Sequence, residues 1–293
     1  MANPRTASRT SIYWLLVLGC LLLASHHSIA ERTSAPTKEA SLRVCADPNN
    51  LPFSNERGEG FENKLAELLA RELGRELTYT WWAQRRGFVR NTLAAGTCDL
   101  ILGTPAESEM ALTTRPYYRS TYVFVTRAAE QLDIQSLDDP RLRQLKIGVH
   151  TIGDDFSNVP PAHALSQRGI IDNVRGFSIY GDYSRPDPPR ALIDAVARGE
   201  IDVAIAWGPL AGYFASRSQA PLAVTAVSPA RDGDFPMVFD IAMAVRRSDR
   251  QLKEDVETVL LERRNKIDGV LRQFGIPLLP LRTTDPAQTH RVR

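Results

Sequence analysis

Residues 42–52 read Leu42-Arg43-Val44-Cys45-Ala46-Asp47-Pro48-Asn49-Asn50-Leu51-Pro52, a short apolar strand that runs straight into a turn. Proline gives a ladder no amide, and Asp and Asn bond their own backbone, so the strand ends at Ala46. Phe61, Leu65, Leu68, Leu69 and Leu73 then recur at helical spacing, with Gly74 just past the helix end. Leu77 to Trp82 reads as a strand, Gly87 to Ala95 as a short helix stopped by Gly96, and Asp99 to Leu102 as a buried strand. Strands alternating with helices imply an α/β fold with a parallel sheet.

The middle of the chain repeats the scheme. Strands are expected at Leu145–Val149, Val174–Phe177, Asp202–Ala206 and Leu222–Val227, with helices at Pro161–Gln167 and Arg190–Arg198. One passage echoes another: Leu93-Ala94-Ala95-Gly96-Thr97-Cys98-Asp99-Leu100-Ile101-Leu102 against Val196-Ala197-Arg198-Gly199-Glu200-Ile201-Asp202-Val203-Ala204-Ile205. Their spacing is too long for a solenoid repeat; two lobes built on one plan explain it, the alternative being chance recurrence of a common helix–Gly–strand junction. Apolar stretches Thr121–Thr126 and Phe239–Val245 lie where the chain passes between the halves, and one long amphipathic helix is expected over Asp249–Phe274. The expected division is a first lobe of residues 41–125 and 238–280, a second lobe of 126–237, and a flexible tail over 281–293. The two crossings form a hinge beside a central cleft.

The chain has 293 residues, long enough for about two ordinary domains. Arg5 and Arg9 precede an apolar run from Ile12 to Ala24, and Ser28-Ile29-Ala30 places small residues at a cleavage site. Residues 1–30 thus have the layout of a secretory signal peptide, and 31–40 of a polar linker. Leu18-Gly19-Cys20 loosely matches a lipobox, but Leu21-Leu22-Leu23 stays apolar where a lipoprotein turns polar. The apolar run falls short of the roughly 20 residues that span a bilayer, so no integral membrane segment is expected in the mature, periplasmic chain. The full sequence has 36 Lys+Arg against 34 Asp+Glu, and loss of Arg5 and Arg9 leaves no net charge. Nothing there favours nucleic acid, which asks for a clustered basic face.

Export leaves Cys45 and Cys98, which an oxidising compartment permits to pair; otherwise they are two buried thiols. There is no CxxC, and His150, His163 and His290 lack close metal-ligand spacing, so no metal and no cofactor is expected. Phosphate loops and the GxSxG elbow are absent too, and the chain is read as a binding protein and not an enzyme.

In open parallel sheets ligands bind beyond the carboxyl ends of strands. Asp47, Asn49 and Phe53 follow the first strand, Trp82 and Arg86 the second, Thr104 and Glu107 the third. The second half offers Thr151, Gly153 and Asp154, then Tyr180, then Trp207, and Tyr117, just before the first crossing stretch, is taken as a further cleft residue. Aromatic faces mixed with hydrogen-bonding groups suit a cleft for a small molecule or partner. Each aromatic has a competing place in the core: of Trp81 and Trp82, adjacent on one strand, one is expected to face inward.

The order of these elements, with Pro52-Phe53-Ser54, Gly60-Phe61-Glu62 and Arg115-Pro116-Tyr117-Tyr118 in sequence, resembles the type II periplasmic solute-binding proteins over about residues 41–277. The resemblance implies two α/β lobes, a two-strand hinge and a ligand gripped in a central cleft. Arg43 to Ser54, Gln84-Arg85-Arg86-Gly87-Phe88 and Thr113 to Tyr122 are similar to one branch, the MoxJ/XoxJ-like accessory proteins of pyrroloquinoline-quinone methanol or alcohol dehydrogenases. This likeness implies a quinoprotein dehydrogenase or its cytochrome c partner as the protein bound, with aid to maturation or activity. Amino-acid-binding members place an arginine ten residues before the Pro-Tyr tyrosine, to pair the ligand carboxylate. Here Glu107 holds that position and repels a carboxylate. A receptor for an ABC importer of a small polar ligand is the alternative, and a dehydratase of the cyclohexadienyl type is a third.

Overall fold

The computed structural model describes residues 41–152, 158–179 and 183–282. The expected export signal over 1–30, the linker over 31–40, residues Gly153, Asp154 and Tyr180, and 283–293 lie outside them. β1 (Leu42–Ala46) leads through the two-residue strands β2 (Asn49–Asn50) and β3 (Ser54–Asn55) into α1 (Phe61–Glu72). β4 (Leu77–Trp81), α2 (Phe88–Asn91), β5 (Leu100–Pro105) and β6 (Leu112–Thr113) follow. After β7 (Tyr118–Arg127) come β8 (Ile147–Thr151), α3 (Pro160–Gln167), β9 (Val174–Ser178), α4 (Ala191–Ala197) and β10 (Val203–Trp207). The chain closes with α5 (Gly208–Ala215), β11 (Leu222–Ala226), β12 (Arg231–Asp232), β13 (Phe235–Pro236), β14 (Val238–Val245), α6 (Arg250–Glu262) and α7 (Arg264–Gln273).

β1 lies parallel between β4 and β5, and β8 lies parallel between β10 and β9. These parallel groups meet through β14 and β7, which run antiparallel to their neighbours. β7 changes partner halfway. Tyr118–Thr121 pairs with β14, and from Tyr122 onward the strand pairs with β10 and β11. Both crossing strands serve two cores: β7 packs Phe124 with Ile147, Val149, Val203 and Ile205 and Tyr118 with the cluster of Leu42 and Phe61, and β14 packs Ile241, Met243 and Val245 with Leu42, Val44 and Leu100 and Ala244 with Cys45 and Ile101.

The sequence echo has a structural counterpart. Gly96 and Gly199 adopt φ of +74° and +73°, a left-handed conformation that glycine takes without a Cβ clash. Each is followed by an aspartate that pins the neighbouring strand. Asp99 accepts from the Arg43 amide (3.2 Å) and from Arg246 (2.8 Å). Asp202 accepts from the Lys146 amide (2.7 Å) and from Arg127 (3.4 Å). Arg246 follows β14 and Arg127 ends β7, so each crossing strand supplies the cation for one lobe. Burial alone would raise the Asp99 pKa, but the hydrogen bonds from Arg43 and Arg246 hold it below the usual carboxylate range.

Three elements differ from the sequence reading. The expected helix over Asp249–Phe274 is two helices broken at Arg263 (φ −106°, ψ 17°). Arg263 reaches Glu72 of α1 at 2.8 Å, and the break lets Leu252, Val256 and Val259 on one side and Ile267 and Leu271 on the other bury in the α1 cluster. The helix expected at Gly87–Ala95 keeps only Phe88–Asn91 before dissolving into turns. Residues after Trp207, expected as a loop, form α5; Pro209 sits in its first turn, where its missing amide costs nothing.

Candidate functional site

Asp47 follows the last residue of β1 and is almost fully buried. A carboxylate placed there must be satisfied by donors, and three converge on it: the Asn49 amide (2.8 Å), the Gln84 amide (2.6 Å) and the Tyr183 hydroxyl (2.6 Å). The first two shape the loops after β1 and β4. The third reaches across from the second lobe. Asn49 extends this bridge, donating to the Arg185 carbonyl (2.8 Å) and accepting from the Asp187 amide (3.2 Å). The Arg85 guanidinium lies 4.9 Å from the centre of the Tyr183 ring. Leu51 completes the arrangement, buried among Leu192, Ile193, Leu210 and Phe214 of the second lobe. The loop from Asp47 to Leu51 is thus a clasp with a polar half and an apolar peg.

Beside the clasp lies a cavity of about 1380 Å³, walled by residues 84–90, 103–110 and 238–240 and by Ile101, Arg119, Ile152, Ala230, Arg231, Pro236 and Arg282. Among the expected site residues, Arg86, Thr104 and Glu107 line it. Thr104 is buried, and Glu107 stands exposed at the rim. Asp47 and Asn49 belong to the clasp. Phe53 packs 5.5 Å from Phe61, and Tyr117 is fully buried in the first core. Trp82 is 46% exposed while Trp81 stacks on Tyr79 at 4.5 Å, so the inward member of the tryptophan pair is Trp81. Thr151 ends β8. Trp207 sits edge-on to Tyr122 (5.5 Å) and Phe239 (5.7 Å), an aromatic knot where the two crossing strands meet.

Residues that the sequence reading missed form the cavity floor. Arg119 of β7 and Asp240 of β14 face each other in register, with Arg119 Nε 3.8 Å from Asp240 Oδ1. A lone carboxylate inside Val238-Phe239-Asp240-Ile241-Ala242 was the available signal, since a charge in an apolar crossing strand is the informative exception. Glu62 is the other. Its carboxyl lies where a β-carbon on Gly103 would come within 2.3 Å, so glycine leaves it room. Burial, and secondarily the nearby Asp47 carboxylate, push Glu62 up to about 8, so it keeps its proton at neutral pH.

Cys45 and Cys98 form a disulfide with Cα atoms 5.5 Å apart, tying β1 to the residue before Asp99. His150 is buried, lies 3.4 Å from the Pro189 carbonyl, and is depressed to about 4 by burial. Among the described residues no cluster of three His, Cys, Asp or Glu is placed to hold a metal, and no helix is long and apolar enough to cross a membrane.

Comparison with known proteins matches this architecture. Residues 42–273 fit the family model of bacterial extracellular solute-binding proteins, family 3. Protein MoxJ of Methylorubrum extorquens is 34% identical over 298 residues, covering 96% of this chain and 99% of that one. Protein MoxJ of Paracoccus denitrificans is 30% identical over 86% of this chain and 94% of its own. The crystal structure of the periplasmic binding protein XoxJ from Methylobacterium extorquens aligns with TM-score 0.68 at 38% identity, over 82% of this chain and 100% of that one. MxaJ from Methlophaga aminisulfidivorans aligns with TM-score 0.71 at 29% identity over the same shares. An ancestral cationic amino-acid solute-binding protein, 19% identical with TM-score 0.62, shares the fold. Two parallel groups of strands joined by two crossing strands, with the family model running from β1 to α7, place this chain in family 3 of the bacterial extracellular solute-binding proteins, with the type II periplasmic binding fold.

Proposed function

We propose that this chain is a periplasmic accessory protein of a pyrroloquinoline-quinone methanol or alcohol dehydrogenase system, one that binds the dehydrogenase or its cytochrome c partner and aids maturation or activity. The observation that carries the reading is the near end-to-end likeness to Protein MoxJ, 96% of this chain against 99% of that one. The basic start, apolar run and Ser28-Ile29-Ala30 of the sequence supply the export such a role needs. We take residues 41–125 and 238–280 as one lobe and 126–237 as the other, with the cleft loops between them as the binding surface and no catalysis there. Glu107, in place of the carboxylate-pairing arginine of amino-acid-binding members, weighs against a receptor for free amino acids. The cavity keeps the second reading alive, a receptor feeding an ABC importer with a small polar solute.

Deletion of the gene in an alcohol-grown strain is expected to lower quinoprotein dehydrogenase activity in periplasmic extracts, with activity recovered on re-expression. Undiminished activity in the deletion strain overturns the accessory role.

A further inference from the structure

The chain that leaves α7 is tied down along its length. Phe274 stacks on Tyr213 of α5 with ring centres 5.7 Å apart, Ile276 is buried in the first core, and Leu278 packs against that core. The Ser120 hydroxyl donates to the Pro277 carbonyl (2.6 Å), and the Leu279 amide donates to the Arg119 carbonyl (2.9 Å). Arg282 then lies 3.8 Å from Asp240 of β14. Residues 274–282 thus form a strap that leaves the first half, runs beside the crossing strand β7 and touches α5 of the second half.

α5 is shaped to receive it. Gly208 and Gly212 lie four apart, on one face of that helix. A β-carbon on Gly212 would fall 2.1 Å from the Gly275 carbonyl oxygen and 3.0 Å from Pro277 Cδ. One on Gly208 would fall 2.5 Å from the Thr121 carbonyl oxygen and 3.4 Å from Pro277 Cγ. Backbone approach this close requires glycine. Gly275 has φ of +71°, the left-handed turn that sends the chain off α7 toward α5. Leu210, Ala211 and Phe214 meanwhile root α5 in the second half, among Leu192 and Val196.

The strap meets β7 at Arg119 and Ser120, just before the Thr121–Tyr122 step where β7 passes from β14 to β10 and β11. Trp207, in register with Tyr122, leads directly into α5. Turning one half against the other about that step slides α5 across a strap anchored in α7, and close-packed backbone leaves no slack for the slide. We propose that residues 274–282 are a hinge lock: seated on α5 and β7, they fix the angle between the halves, and the cavity beside the clasp widens only when they peel away. This goes beyond the accessory reading and does not depend on it, because a lock at the pivot governs entry whatever the cavity takes.

The test combines amide hydrogen exchange with the distance between two nitroxide labels, measured by pulsed electron resonance on the chain from residue 31 onward. The labels sit on Gln167→Cys and Glu254→Cys, exposed positions on α3 and α6, one in each half. Cys45 and Cys98, joined in the disulfide, take no label. Gly212→Ala keeps α5 in a good helix former while driving the strap away. Gly269→Ala is the control, since a β-carbon there meets nothing within 4 Å. Gly212→Ala is expected to speed exchange over 274–282 on the order of tenfold or more, and to lengthen the label distance by roughly 3 Å or more. Gly269→Ala is expected to change neither. Leu279→Pro, outside every helix and strand, deletes the amide bonded to Arg119 and should lengthen the distance in the same sense, which keeps the lock testable should Gly212→Ala fail to fold. Faster strap exchange with an unchanged distance, unchanged exchange in Gly212→Ala, or equal lengthening in Gly269→Ala overturns the proposal.

Discussion

Glu62 and His150 are two partly or wholly buried groups whose titrations act in opposite senses. Glu62 holds its proton up to about 8 in the folded chain, whereas an unfolded glutamate loses it near 4.5. Unfolding therefore releases a proton between those values, and stability falls as pH rises through that window. His150 resists protonation down to about 4, whereas an unfolded histidine takes a proton near 6.5. Unfolding then takes up a proton, and stability falls as pH drops from about 6.5 to 4. From about 4.5 to 6.5 the two offset each other, and above that Glu62 acts alone. The urea midpoint is expected to decline from pH 6.5 to 8.5 in the natural chain. Glu62→Gln should remove most of that decline, a gain on the order of 2 kcal/mol at the alkaline end. An unchanged slope in the variant refutes the burial of this carboxyl. Neither role was legible beforehand. Glu62 sits in Gly60-Phe61-Glu62 at a helix start, where an acid looks like an ordinary partner for the helix dipole, and only the fold sets it against Gly103 and Asp47.

At the scale of elements, the loop after β1 shows what local pattern can and cannot reveal. Asp47-Pro48-Asn49-Asn50-Leu51-Pro52 announces a turn, and the strand before it and helix after it fall where periodicity places them. The same residues say nothing of Leu51 burying in the second lobe or of Tyr183 donating to Asp47, because those contacts join positions more than a hundred residues apart. Likewise the 3.6-residue period runs unbroken through Arg263, where the structure breaks the helix and pairs Arg263 with Glu72 of α1. The parallel strands and the glycine–aspartate echo were legible because each follows from contiguous residues. Arg119 and Asp240 were not singled out, since a single strand does not reveal which face it turns to a cavity. Leu51→Ala is expected to cost about 2–4 kcal/mol in denaturant unfolding, as for other buried leucines. It should also speed amide exchange across residues 47–56 and 183–187 while leaving α1 protected. Exchange unchanged in both segments means that the peg does not hold the lobes together.

Over the whole molecule, two similarly built halves share β7 and β14, and the loop from Asp47 to Leu51 clasps one to the other. A receptor for free solutes needs its lobes to part for entry and then close on the ligand. This chain already spends Asp47, Asn49 and Leu51 on contacts between its own halves, and it carries Glu107 where a carboxylate grip is expected in amino-acid binders. Both features weigh against an imported free amino acid. Isothermal titration of the purified mature chain against a purified quinoprotein methanol dehydrogenase, run beside a panel of free amino acids, tests this most directly. The account predicts saturable heat with the dehydrogenase and none with the amino acids. Tight binding of an amino acid with no heat from the dehydrogenase contradicts it.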